Sequence, residues 1–312
     1  GFVGGALAAR LRADGHDVVA LVRDSGRADG LRELGVTLQS GDLGIAESLD
    51  ELCRDVDGLY HAAGWYKLGS RDPEQGVRIN VDGTRNVLVA ARKAAVPRIV
   101  YTSTLAVNSD THGSVVNEQY LFSGRHLSVY DETKARAHDL AEQFAADGLP
   151  VVTVMPGVVY GPGDTSQTGA LLRQVIEGGR PTVPSVGGVC WGYVDDVAAG
   201  HVLAMQRGTP GESYMLAGPQ ASLATALKQA AEIAGTPGPI TLPSGLVQAT
   251  AAVASVVGRL IPLPPDYAAE TLRASVATYY GDPTRAELEL GWSCRSLKDG
   301  LRTLVESLGQ PT

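Results

Sequence analysis

Short apolar runs alternate with helix-like segments through the first half of the chain. The runs are four to seven residues long and rich in β-branched residues, which is typical of buried strands. The segments between them carry apolar positions at the spacing of an amphipathic helix. Strands are predicted at 16–22, 36–39, 58–63, 98–103 and 151–155, and helices at 6–12, 30–34, 45–53, 77–95 and 128–146.

Continuous apolar strands separated by helices predict a parallel sheet that is buried on both faces. Right-handed crossovers between such strands produce a doubly wound α/β sheet of the Rossmann type. After Gly161-Pro162-Gly163 the rhythm changes to long helices and loops rich in proline and glycine. We therefore expect a nucleotide-binding Rossmann domain over 1–163, with 192–206 returning to it, and a smaller C-terminal domain over 164–312 that binds mainly substrate.

The chain opens on a glycine turn, Gly1-Phe2-Val3-Gly4-Gly5, and a helical pattern follows at once. A turn of this kind normally connects a strand to a helix. We therefore expect that the first strand of the sheet, about 4–8 residues long, is missing together with the first glycine of the turn. On this interpretation the sequence is a fragment of a slightly longer natural chain.

Composition and charge narrow the range of functions. The net charge is −8, with 26 Lys and Arg against 34 Asp and Glu, and no basic stripe is present to bind nucleic acid. The three cysteines and six histidines are scattered, so no metal site is predicted. Sparse cysteines are typical of a reducing compartment, and we expect a cytoplasmic protein. The apolar stretch Leu246–Ile261 is interrupted by polar residues, which predicts a buried or groove-lying helix and no membrane span.

The glycine turn is the first candidate for a cofactor site. Gly1 and Gly4, with Phe2 and Val3 between them, fit a G-x-x-G-x-x-G turn whose backbone approaches a pyrophosphate at a helix N-terminus. The strand that ends at Val22 is followed by arginines, Arg23 and Arg27. An acidic residue there would accept hydrogen bonds from an adenosine ribose, whereas arginine favours a 2′-phosphate. The arginines therefore favour NADP, and NAD stays the alternative because an aspartate comes directly after the first arginine.

The ends of later strands suit the same cofactor, because ligands in such sheets bind at the carboxyl ends of the strands. Small residues at these ends would let a dinucleotide lie close, or they could serve helix–sheet packing instead. The expected contacts are Asp42 and Leu43 near the adenine, Ala62, Ala63 and Gly64 after the third strand, and Pro156 and Val158 after the fifth.

A tyrosine and a lysine supply candidate acid–base chemistry. Tyr130 and Lys134 are four residues apart, so on a helix they share one face. A nearby ammonium lowers the pKa of a phenol, which would make Tyr130 a proton donor or acceptor near neutral pH. Ser103 and Thr104 end an earlier strand, where a hydroxyl could hold a substrate carbonyl toward the tyrosine.

Eight motifs occur in the order typical of the extended short-chain dehydrogenase/reductases, and the sequence resembles that family over essentially its whole length. They are Gly1-x-x-Gly4, Asp42-Leu43, His61-Ala62-Ala63, Asn80-Val81-x-Gly83-Thr84, Ser103-Thr104, Tyr130-x-x-x-Lys134, Pro156-x-x-x-Tyr160-Gly161-Pro162 and Val194-Asp195-Asp196-Val197-Ala198. Residues 22–24, 61–66, 71–73, 80–86 and 101–104 make it most similar to the dihydroflavonol-4-reductase-like branch, which includes bacterial hopanoid-associated sugar epimerases.

The resemblance implies a role for each catalytic candidate. Tyr130 would be the acid/base, and Lys134 would lower its pKa and bind the nicotinamide ribose. Thr104 takes the position of the family's catalytic Ser/Thr, and Ser103 is the second candidate. Asn80 would lie near the active site as a helix cap or a catalytic residue. Relatives often dimerise through the helix that bears the tyrosine, so a homodimer is expected.

Departures from the family pattern bear on the substrate. Cys190-Trp191-Gly192-Tyr193 stands where nucleotide-sugar epimerases usually carry an arginine, which favours an uncharged or aromatic substrate. Trp65, Tyr66 and Trp191 could line such a pocket or pack in the core. Asn108-Ser109 replaces the Tyr-Gly that often follows the Ser/Thr strand.

Three functions stay open at this point. The first is an NADP(H)-dependent reductase of a small-molecule ketone or aldehyde. The second is an epimerase or dehydratase that retains NAD(P) while it acts on a sugar. The third is a cofactor-binding scaffold without activity.

Overall fold

The structure is a computed structural model that describes residues 1–67, 72–243, 245–247, 249–250 and 269–309. Arg71 and most of the apolar stretch Leu246–Ile261, predicted above as a helix, lie outside these residues. Within the described ranges, no helix is long and apolar enough to cross a membrane.

Strands and helices alternate through the first half at the predicted positions, and one short helix, Pro73–Gly76, was not predicted. The strands are β1 (Val19–Val22), β2 (Thr37–Ser40), β3 (Leu59–His61), β4 (Ile99–Thr102) and β5 (Val151–Pro156). The helices are α1 (Phe2–Ala13), α2 (Asp29–Glu33), α3 (Ala46–Leu52), α4 (Pro73–Gly76), α5 (Gly83–Lys93) and α6 (Val129–Ala146). The predicted alternation of strand and helix is therefore confirmed.

The second half adds shorter strands and further helices. Its strands are β6 (Val158–Tyr160), β7 (Thr182–Pro184), β8 (Gly188–Tyr193), β9 (Ser213–Leu216), β10 (Gln220–Ala221), β11 (Ile240–Leu242) and β12 (Thr278–Tyr279). Its helices are α7 (Gln167–Ile176), α8 (Val194–Arg207), α9 (Leu223–Ala234), α10 (Ala269–Ala274) and α11 (Leu297–Ser307).

The central sheet is parallel, as predicted for a doubly wound fold. Four strands pair in the order β3-β4-β5-β9, while β1 and β2 form a separate parallel pair. Strand β9, which the pattern did not predict, lies in the range expected to bind substrate but pairs with β5. Helices cover both faces of the sheet, so alternate residues of β4 pack into two different hydrophobic cores. Ile99 and Tyr101 pack with α5 and α6, and Val100 packs with α8.

The predicted helix over 77–95 is interrupted. Residues Val77–Asp82 form a π-helical segment, and α5 continues from Gly83 as a regular helix. Short π-helical segments are frequent at functional sites, because they turn side chains away from the helix face that the sequence pattern implies. Here the segment buries Asn80, which is 1% exposed.

Candidate active site

One groove of about 2980 Å³ crosses the carboxyl ends of the parallel strands and is lined from both halves of the chain. Every residue predicted for cofactor binding lines it, as do the four main catalytic candidates, whereas Asn80 does not. The predicted residues that line it are Gly1, Phe2, Val3, Gly4, Arg23, Arg27, Asp42, Leu43, Ala62, Ala63, Gly64, Ser103, Thr104, Tyr130, Lys134, Pro156 and Val158.

The N-terminus of α1 opens onto the groove with features that fit an anion. Gly1 caps the helix without a side-chain hydrogen bond, and the first turn holds no acidic residue. Unpaired N–H groups and the helix dipole favour negative charge at such an end. A Cβ atom at Gly1, Gly4 or Gly5 would meet no other described atom within 4 Å, so the protein's own packing does not require glycine there. The open space fits a pyrophosphate that lies against the backbone.

The carboxylate of Asp24, the residue after Arg23, is hydrogen-bonded within its own turn. The Asp24 carboxylate accepts a hydrogen bond from the Gly26 backbone N–H at 3.0 Å, while Arg23 and Arg27 are exposed at the groove. Asp42 behaves similarly, because its carboxylate accepts from the Gly44 N–H at 2.9 Å. Arginine and aspartate side chains therefore both line this end of the groove.

Tyr130 lies in the first turn of α6, which Ser128 caps by accepting from the Asp131 N–H at 3.1 Å. Thr104 lies beside Tyr130 at the groove, and interaction with its hydroxyl favours the ionised form of the Tyr130 phenol. Thr104 is extended and its Oγ1 also accepts from the Ala106 N–H at 3.2 Å, which fixes the hydroxyl between strand and tyrosine. Burial raises the pKa of Tyr130, so its phenol keeps its proton at neutral pH.

Ser103 has a different partner from Thr104. Its Oγ lies 2.8 Å from Nδ1 of His138, whose Nε2 lies 3.2 Å from a carboxylate oxygen of Glu142. Tyr130, Lys134, His138 and Glu142 follow each other at four-residue intervals, so they form a polar stripe along one face of α6. Of the two hydroxyls proposed from sequence, Thr104 is the one that interacts with Tyr130.

Lys134 is buried and turned toward β4. Its Nζ donates to Oη of Tyr101 at 3.2 Å and to the carbonyl oxygen of Thr102 at 2.7 Å. Burial lowers the pKa of Lys134 to about 7. The expected lowering of the Tyr130 pKa by Lys134 is not observed, since the burial of Tyr130 dominates and raises it.

Asn80 ties the loop after β3 to α6. Its Oδ1 accepts from the Trp65 N–H at 2.7 Å, and its Nδ2 donates to the Trp65 carbonyl and to Oγ1 of Thr133 at 3.1 and 3.0 Å. The helix-cap alternative for Asn80 is therefore wrong. Trp65 and Trp191 are 5% and 1% exposed, whereas Tyr66 is 48% exposed and its ring meets that of Tyr130.

A contact that the sequence did not predict joins the C-terminal part to the active-site helix. Tyr279 lines the groove and donates its hydroxyl to Oδ2 of Asp131 at 3.1 Å. Asp131 is 2% exposed, and burial raises its pKa to about 6. No local pattern connects residues 148 positions apart. His138 is different, because its four-residue spacing from Lys134 was a usable signal.

Comparison with known proteins is consistent with this arrangement. Residues 1–217 match the model of the NAD dependent epimerase/dehydratase family. A Synechocystis sp. protein whose name proposes a dihydroflavonol 4-reductase is 34% identical over 98% of this chain and 91% of its own length. A 2-alkyl-3-oxoalkanoate reductase of Shewanella oneidensis is 30% identical over 99% of this chain and 84% of its own.

Solved structures show the same fold. The crystal structure of gox2253 superposes with a TM-score of 0.88 and 31% identity, covering 99% of this chain and 95% of the other. The structure of MoeE5 in complex with UDP-glucose and NAD has a TM-score of 0.77 and 25% identity, covering 99% and 96%.

Proposed function

Because the chain belongs to the NAD dependent epimerase/dehydratase family and is an enzyme of the NAD-dependent reductase/epimerase kind, we propose that it reduces a ketone or aldehyde with NADP(H). The observation that carries this proposal is that the phenol of Tyr130 and the hydroxyl of Thr104 line the same groove and interact with each other there. Two hydroxyls that meet at the carboxyl end of a sheet are placed to receive one carbonyl oxygen.

The protein's part in the reaction is to orient the carbonyl and supply a proton. When bound, the dihydronicotinamide supplies a hydride to the carbonyl carbon. Thr104 holds the carbonyl oxygen by a hydrogen bond, and Tyr130 transfers its phenolic proton to that oxygen as the C–H bond forms. The raised pKa of Tyr130 keeps this proton in place until charge develops on the substrate.

Other groove residues would hold the cofactor. The turn from Gly1 to Gly4 and the α1 N-terminus fit the pyrophosphate, and Lys134 would bind the nicotinamide ribose. The exposed Arg23 and Arg27 would bind a 2′-phosphate, which is why we prefer NADP.

The names of the relatives support a carbonyl substrate, since they describe reduction of a dihydroflavonol and of a 3-oxoalkanoate. The exposed ring of Tyr66 beside Tyr130 would pack against an uncharged or aromatic molecule. Segments after Gly163 that line the groove, including Tyr279, would complete the substrate side.

The test is a carbonyl-substrate screen that follows NADPH oxidation. We expect Tyr130→Phe to abolish turnover while NADPH binding, measured by titration, stays nearly unchanged. Tyr120→Phe is the matched control, because this half-buried tyrosine does not line the groove and should keep its activity. Substantial turnover by Tyr130→Phe would overturn the mechanism.

A second candidate is an epimerase or dehydratase that oxidises and re-reduces the same sugar with a retained cofactor. The family match and the likeness to a structure with a bound nucleotide sugar favour it. The nucleotide content of the purified protein separates the two candidates. A stoichiometric NAD(P) that survives gel filtration supports the epimerase, and consumption of external NADPH supports the reductase.

A further inference from the structure

A chain of buried polar side chains leads away from Lys134 into the protein. The Lys134 Nζ donates to Oη of Tyr101 at 3.2 Å. The Thr84 hydroxyl interacts with the Tyr101 phenol, and the His61 ring packs against the Tyr101 ring with 5.6 Å between their centroids. Oγ1 of Thr84 lies 2.9 Å from Nε2 of His61. The chain thus crosses from α6 to β4, α5 and β3, and the reaction proposed above uses none of its members beyond Lys134.

These four side chains are almost completely buried, with exposed fractions of 6% for Lys134, 0% for Tyr101, 1% for Thr84 and 3% for His61. Burial, followed by the charge of Lys134, lowers the pKa of His61 to about 3, so its imidazole is neutral. Burial raises the pKa of Tyr101, so its phenol is neutral too. The ammonium is therefore stabilised by neutral acceptors.

The groups that face Lys134 come from three elements. Tyr101 and the Thr102 carbonyl lie on β4, His61 on β3, and Tyr130 one turn earlier on α6. The Nζ also lies 4.8 Å from the ring centroid of Tyr101. An ammonium has three N–H donors. Tyr101 and Thr102 take two of them, which leaves the third for a group in the groove.

We propose that Tyr101 is the positioning residue that aims the Lys134 ammonium into the groove, and that Thr84 and His61 hold the phenol of Tyr101 in place. A lysine side chain has many rotamers, so a backbone carbonyl alone leaves its head group free to pivot. A second acceptor on the same strand removes that freedom. Since Tyr101 has no exposed surface, its hydroxyl serves the interior of the protein.

Titration of Lys134 tests the contact without any assay of activity. The sequence holds only five lysines, so ¹³C-labelled lysine gives five NMR signals, and Lys134→Arg identifies the one of interest. Tyr101→Phe keeps the ring but deletes the acceptor of the ammonium. We expect the pKa of Lys134 to fall below that of the wild type by about one pH unit, because a hydrogen bond to the charged form is lost.

Tyr214→Phe is the matched control. Tyr214 is also fully buried, lies on β9 of the same sheet and donates its hydroxyl to Glu289 at 2.8 Å, far from Lys134 along the sheet. It should leave the Lys134 titration unchanged. A wild-type titration in Tyr101→Phe, or an equal shift in Tyr214→Phe, overturns the proposal.

A second pair of variants keeps the proposal falsifiable if Tyr101→Phe does not fold. Thr84→Val removes the hydroxyl that holds Tyr101, and Thr84→Ser restores it. We expect the Lys134 pKa to fall in Thr84→Val and to return to the wild-type value in Thr84→Ser. No difference between these two variants contradicts the proposed chain.

The consequence for turnover rests on the proposed function. We expect Tyr101→Phe to lower kcat for NADPH-dependent reduction about tenfold, with the KM for the carbonyl substrate little changed. Unchanged kcat in Tyr101→Phe contradicts the positioning role. If the wild-type protein does not oxidise NADPH with any carbonyl compound, the reductase proposal fails, while the Lys134 titration still decides the role of Tyr101.

Discussion

The ring of Tyr66 meets the ring of Tyr130 edge to face, with 4.8 Å between their centroids. Tyr66 belongs to the loop after β3 and Tyr130 to α6. Asn80 joins these two elements, because its amide bonds both the Trp65 backbone and the Thr133 hydroxyl. Asn80 thus holds together the two elements that carry Tyr130 and the exposed ring beside it, and the two rings form an aromatic part of the groove wall.

Removing the ring of Tyr66 should weaken reduction without harming the fold. A contact between the Tyr66 ring and an aromatic substrate would contribute about 0.5–1.5 kcal/mol beyond its buried area. We expect Tyr66→Ala to lower kcat/KM about threefold to tenfold in steady-state assays with NADPH. Tyr66→Phe keeps the ring and should stay within about twofold of the wild type. Equal kcat/KM values for Tyr66→Ala and the wild type would show that the ring does not contact the substrate.

Cofactor preference should depend on Arg23. Hydrogen bonds to charged groups contribute about 1.5–3 kcal/mol, so Arg23→Ala should weaken NADPH binding by about tenfold or more and leave NADH binding unchanged. Arg32→Ala is the control, since Arg32 is exposed on α2, pairs with Asp29 and does not line the groove. Binding titrations with both cofactors measure the effect. Tighter binding of NADH than NADPH, unaffected by Arg23→Ala, refutes the assignment.

Ser109 holds a backbone conformation that suits glycine. Its φ is 52° and its ψ −148°, and its buried hydroxyl has no hydrogen-bond partner among the described residues. Such strain costs about 1–3 kcal/mol, part of which is offset because glycine makes the unfolded chain more flexible. We expect Ser109→Gly to raise the free energy of unfolding by about 1 kcal/mol, measured by urea denaturation.

Ser109→Ala separates the two contributions at this position, because it deletes the hydroxyl but keeps the Cβ atom. If the backbone is the main source of strain, Ser109→Ala should be less stable than Ser109→Gly. Greater stability of Ser109→Ala would place the cost in the unpartnered hydroxyl instead.

Asp131 should make stability fall as pH rises through the acidic range. Burial raises its pKa to about 6 in the folded protein, against 3.8 for a free aspartate. Between these values the native state binds more protons than the unfolded state, so the free energy of unfolding decreases with rising pH. Asp131→Asn removes this dependence, and its stability relative to the wild type should therefore improve between pH 4 and pH 7.

Denaturation at several pH values measures that change. Asp139→Asn is the control on the same helix, because Asp139 is exposed and should leave the pH dependence as it is in the wild type. An identical slope for Asp131→Asn and the wild type would exclude Asp131 as its source.

Local patterns were sufficient for most strands and helices of the first half and for much of the groove. Buried β-branched runs such as Val151–Pro156 form the sheet, and the four-residue spacing of Tyr130 and Lys134 puts both on one face of α6. The parallel order then brings Thr104 to Tyr130, because the carboxyl ends of neighbouring strands meet at one edge.

Contacts set by packing between distant elements were not predictable. The ammonium of Lys134 bonds Tyr101, and this depends on how closely α6 packs on β4. The pairing of Tyr279 with Asp131 depends on how the C-terminal segment crosses the groove. The Tyr130 pKa is raised instead of lowered for a similar reason, because a spacing along a helix does not reveal how deeply a phenol is buried.

The contacts of the polar stripe depend on the number of residues in α6 as much as on their identity. Three residues of the stripe contact β4 or the residues directly after it. Tyr130 interacts with Thr104, Lys134 donates to the Thr102 carbonyl, and His138 bonds Ser103. One residue inserted between Lys134 and His138 would rotate everything beyond it by about 100°, which would part His138 from Ser103 while Lys134 kept its contacts. A change in residue count here would therefore break the contact of His138 with Ser103, whereas a substitution leaves the register of α6 on β4 unchanged.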